Sequence, residues 1–108
     1  MSTLSENLAA FSAYIDSEHA RNYITANEAA YARVAKITEE AGELSGALLR
    51  YNGQNVLKED GEPTIEDIGQ HMLSVAITAL GAYEHWTGNQ GRSLRDLESA
   101  VQRLRDLT

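Results

Sequence analysis

The chain has 108 residues, with 16 acidic and nine basic side chains, a formal net charge of −7, one proline and no cysteine. That length suits one small domain over residues 1–108, which buries roughly 60–70% of its unfolded surface, so association is a ready way to gain core. The missing cysteines exclude a disulfide framework, a thiolate metal site and a thiol nucleophile, and the acidity speaks against a nucleic-acid partner, which asks for a basic face.

No basic start with an apolar run follows the first methionine, and no apolar stretch approaches ~20 residues. The expectation is a cytoplasmic protein that does not enter a membrane. Period-two β-branched runs are absent, so the pattern reads as all-α, with four helices.

The first helix is expected over about Leu4–Arg21. Thr3 and Glu6 stand at capping-box spacing, and Leu4, Leu8, Phe11 and Ile15 make one stripe. The second is expected over about Asn27–Tyr51, opened by Thr25 and Glu28. Val34, Ile37, Ala41, Leu44 and Leu48 follow the 3-4 spacing of a bundle seam. Gly42 and Gly46 inside it each cost about 1 kcal/mol against alanine, which suggests close approach of a backbone or ligand. Gly53 is placed to end the helix in a left-handed conformation.

Residues 53–63 are long for a helix–helix connection and polar, which suits a functional loop. The third helix is expected over about Ile65–Trp86, capped by Thr64 with Asp67 three residues on. Ile68, Met72, Val75, Ala79 and Ala82 mark one side, and Leu73, Ile77 and Leu80 widen it. Such width implies burial on more than one side, in the bundle or between subunits. The fourth helix, about Leu94–Leu107, takes Ser93 as its expected cap and carries Leu94, Leu97, Val101 and Leu104. From Arg92 onward there are four arginines and three acids, so residues 1–91 hold a surplus of eight negative charges.

Chemistry is best supported at Lys36-Ile37-Thr38-Glu39-Glu40-Ala41-Gly42-Glu43-Leu44. Glu40 and Glu43 project from one side of a helix with Lys36 a turn earlier, and Glu39 and Glu43 are four apart. Like charges at this spacing repel, and a divalent cation would reverse that cost. A solvated acidic face, partly neutralised by Lys36 and Arg33, accounts for the same spacing.

This stretch resembles the E-E-x-x-E motif of the MazG-like all-α nucleotide pyrophosphohydrolases, with Lys36 ahead of it and Gly-Glu-Leu at its end. Gly53-Gln54-Asn55 with Lys58, and Val75–Leu80, resemble further parts of that family. The resemblance spans roughly residues 28–86. It implies a four-helix bundle with two long antiparallel helices, completed as a homodimer or homotetramer, that hydrolyses a nucleoside triphosphate to monophosphate and pyrophosphate with Mg²⁺ or Mn²⁺.

Carried over, Glu40 and Glu43 are metal ligands, Glu39 and Lys36 catalytic or phosphate-facing groups, and Asn52, Gln54, Asn55 and Lys58 substrate contacts. The family's second motif, E-x-x-D, is not intact. One register puts His71 and Ser74 in its place, the other Asp67 and Gln70. Asp67 and His71 therefore stand as substitute ligands. Three readings remain open: a metal site completed by Asp67 or His71, a lost metal site in a non-catalytic nucleotide-binding or protein-interaction oligomer, and a His71–glutamate pair. Trp86 could stack a base or pack in a core or interface. His19 and His85 carry no assigned role.

Overall fold

The computed structural model describes residues 2–53 and 63–108. They form four helices and, among the described residues, no strand: α1 Leu4–Arg21, α2 Ala26–Tyr51, α3 Ile65–Trp86 and α4 Ser93–Asp106. Three capping boxes start the first three helices. Thr3, Thr25 and Thr64 each accept from the backbone three residues on, while Glu6, Glu28 and Asp67 reach back to the capping residue's N–H. Each box satisfies two backbone donors that a helix start would leave unpaired. Gly53 follows α2 at φ +71°, the expected left-handed exit.

The fourth helix starts differently. Ser93 is its first residue, not its cap; Arg92 holds the cap position and makes no side-chain cap bond. The capping group comes from α3. Glu84, 0% exposed, accepts from Gly91 N–H through Oε1 and from Ser93 N–H through Oε2, both at 2.8 Å. Two amides at a helix start suit a carboxylate electrostatically as well as geometrically. The turn between carries Gly88, Asn89 and Gly91 at positive φ. Gly91 also lies against α1, where a Cβ would sit 3.3 Å from the Ser5 carbonyl oxygen.

Helix α3 is the hub: it packs most extensively on α2, next on α1, and slightly on α4. α2 and α3 run antiparallel. Residues 27–37 share one cavity with 79–86, while Glu40 shares another with Ser74.

The buried line of α2 is rotated from the expected seam. Ala29, Arg33 and Ala47 are its buried residues, whereas Val34 and Leu48 are 60% and 46% exposed. A similar offset holds elsewhere. Leu8 and Ser12 are the buried residues of α1 while Leu4 and Phe11 are exposed, and α3 buries Ile68, Gly81 and Glu84 while Met72, Leu73 and Ile77 stay about half out. The α2 stripe expected as a bundle seam faces largely outward in this chain, the α3 stripe stays half open as an expected intersubunit face would, and small and polar residues share the centre with Leu8 and Ile68. The leucine stripe of α4 is likewise open from Leu97 through Leu107.

Gly42 and Gly46 do not mark a close approach within this chain. Nothing lies within 4 Å of a Cβ at Gly42, and at Gly46 only the tip of Arg50 does. Among the glycines inside the helices, the one that meets a side chain of another helix is Gly81, buried against the Arg33 guanidinium.

Candidate functional site

Three helices enclose a trough of about 560 Å³. Phe11, Ile15 and His19 come from α1; Ala32, Arg33, Lys36 and Glu40 from α2; Ser74, Ile77, Thr78 and Gly81 from α3. The 3-4 spacing on α2 explains its share, since residues 33, 36 and 40 recur on one face. A cavity of this size suits a small organic ligand.

Of the residues singled out from sequence, Lys36 and Glu40 line this trough, with Ser74 across from them. Lys36 Nζ donates to Glu39 Oε1 at 3.1 Å and lies 3.6 Å from Glu40 Oε1. Its pKa is raised, mainly by the hydrogen bond and charge of Glu39 and less by Glu40. Glu40 is largely shielded and Glu39 mostly in solvent. Glu43, one turn on, is exposed.

Asp67 has another task. It accepts the Thr64 N–H at 2.8 Å, and the Thr64 bonds lower its pKa. Among the described residues no ion pair joins His71 to Glu40 or Glu43. Nor does any group of three or more His, Asp or Glu side chains there gather to hold a metal ion. Asn52 is the C-terminal cap of α2, its N–H donating to Leu48 and Arg50 carbonyls. Gln54, Asn55 and Lys58 lie outside the described residues.

A second polar cluster was not read from sequence. Arg33, 6% exposed, turns away from the acidic face toward α1. Its Nη2 donates to the Ser12 carbonyl and hydroxyl, both at 2.7 Å, and to Asp16 Oδ1 at 3.2 Å. His85 Nδ1 lies 2.7 Å from the same Asp16 oxygen, and Asn89 Nδ2 donates to the other at 2.8 Å. Burial alone would raise the Asp16 pKa, but the bonds from Asn89, His85 and Arg33 outweigh it and hold the pKa below the ordinary value. Glu84 behaves alike: burial opposes, and the bonds from Ser93 and Gly91 prevail.

The available signal for this cluster was a charge out of place. Arg33 follows Ala29 by four residues on α2's small-residue face, and Glu84 is the one acid of α3 after Asp67, at the end of its apolar half. His85, given no role from sequence, ties α3 to α1.

On the far side of the α2–α3 pair, Tyr31, Val34, Tyr83 and Trp86 rim another cavity, of about 620 Å³. Trp86 is 77% exposed there, so it is no core residue of this chain.

No known protein family, curated protein or solved structure matches the chain. Among the described residues no helix is long and apolar enough to cross a membrane.

Proposed function

We propose that this chain is a MazG-like nucleotide pyrophosphohydrolase of the cytoplasm, working as a homodimer or homotetramer on a nucleoside triphosphate. The observation that carries the reading is the shielded Glu40 of the E-E-x-x-E motif, set with Lys36 and Ser74 around one trough. The donor set does not fit a resident metal cage, since the described residues bring no three metal-binding side chains together. It fits a divalent ion that arrives on the triphosphate and takes one or two protein carboxylates.

Such an ion would neutralise phosphate charge. Glu40 and Glu43 would orient it, Lys36 would meet phosphate oxygens, and Ser74 would donate a hydrogen bond. The protein's part is positioning and electrostatics, with no covalent step.

Association is supported by the rotated packing. Only Leu8, Ala29, Ala47 and Ile68 are fully buried apolar residues among those described, whereas 19 large hydrophobics are exposed. An apolar excess of that kind marks an interaction surface.

A second reading, a non-catalytic nucleotide-binding oligomer, is favoured by the commitment of Asp67 to helix capping. Pyrophosphate release from a panel of nucleoside triphosphates, with Mg²⁺ or Mn²⁺, separates the two. The hydrolase turns over and Glu40→Gln abolishes it. Nucleotide binding with no release selects the second reading, and neither binding nor release overturns both.

A further inference from the structure

The trough has two chemically different ends. Toward Glu40 it carries charges of both signs, with Lys36 beside Glu40 and beside solvated Glu39. Its other wall combines Phe11, Ile15, Ala32 and Ile77 with two cationic or polar groups, Arg33 and His19. We infer that this end of the trough binds an amphiphilic monocarboxylate, with the anion on the Arg33 guanidinium and an apolar body over Phe11, Ile15 and Ile77.

The guanidinium carries the argument. A buried arginine is expected to use its five N–H donors. Here every protein hydrogen bond runs through Nη2, to Ser12 and Asp16. Nε is buried without a partner. Nη1 has no hydrogen bond among the described residues and lies against Gly81, itself on the trough wall.

The counter-charge is incomplete as well. Asp16 divides its carboxylate among Arg33, His85 and Asn89. A desolvated cation with unbonded donors calls for an anion. His19, which also lines the trough, adds a second buried atom without a partner, Nδ1.

The position of the arginine is held from behind by Ser12 and Asp16, so the site is ordered before a ligand arrives. Gly81 lets α3 lie close to it: a Cβ there would be in contact with Nη1, at 3.4 Å. The apolar lining asks for a hydrocarbon or aromatic body rather than a small polar acid.

The inference stands on this cavity and not on nucleotide hydrolysis, so its test uses the full chain without nucleotide or metal. Decanoate and its uncharged isostere decanamide are titrated by calorimetry. Decanoate is expected to bind saturably, one per chain, and at least about tenfold more tightly than decanamide, as loss of a charged hydrogen bond implies. Arg33→Gln should remove that preference. Should that variant fail to fold, Ile77→Asp, at a half-exposed position, places a negative charge in the trough and should weaken decanoate by a similar factor with helicity unchanged. Equal binding of the two probes, no saturable decanoate binding, or full decanoate affinity in Ile77→Asp would each overturn the inference.

Discussion

Two polar regions of this molecule lie about two helical turns apart on α2 and obey different rules. At Glu39, Glu40 and Glu43 the acids face solvent or a trough edge, and among the described residues the cation paired with them is Lys36. At Arg33 the charge is buried and interlocked with α1, α3 and the turn before α4. The first region is dense in charge but weakly tied. The second has few charges, each with several partners across different helices. Charge density along a sequence therefore points to the looser region, and the group that joins the helices is Asp16 of α1, met by Arg33 from α2, His85 from α3 and Asn89 from the turn.

If that contrast is right, mutations should separate stability from binding. The largest effect is expected from Arg33→Met, which leaves Asp16 short of its cation and should cost about 3–5 kcal/mol, read by urea unfolding. Glu84→Gln comes next, at about 2 kcal/mol, since an amide oxygen replaces a carboxylate that accepts two backbone N–H bonds.

Acid should act on the same region. Asp16 and Glu84 have pKa values lowered on folding, so their stabilisation is complete above the unfolded carboxylate values and is lost as pH falls through the folded ones. Chemical denaturation repeated from neutrality to below pH ~4 should show stability dropping on the acid side. Glu84→Gln should flatten that drop; an unchanged acid limb would mean that the carboxylate is not the linked group.

The smallest effect belongs to the acidic face. Glu43→Gln should leave unfolding within about 0.5 kcal/mol of the native chain. A loss comparable to that of Glu84→Gln would erase the distinction between the regions.

Much of the secondary structure was legible because its signals are local. Thr3, Thr25 and Thr64 each precede an acid at the capping spacing, and that suffices to start a helix. The packing was less legible because hydrophobic spacing does not say whose surface covers it. Val34 and Leu48 mark a genuine stripe, but one turned out of the single chain, and Ala29, Arg33 and Ala47 occupy the inside. Glu84 could not be read as a cap because its partners come seven and nine residues later, across a turn shaped by Asn89 and Gly91. Of the candidate site, Lys36 and Glu40 were legible from charge and spacing. Arg33 was not, since only the approach of Ser12 and Asp16 from α1 shows which way it turns.

The Glu84 clasp has a mechanical consequence. α4 touches the rest of the chain chiefly through α3, and its first turn is bonded to a carboxylate rigidly mounted on that helix. A rotation of α3 about its own axis would therefore swing the whole of α4, and with it the line of Leu97, Val101 and Leu104. The carboxylate couples the two helices, so that outermost apolar edge is oriented by a single buried side chain at the centre.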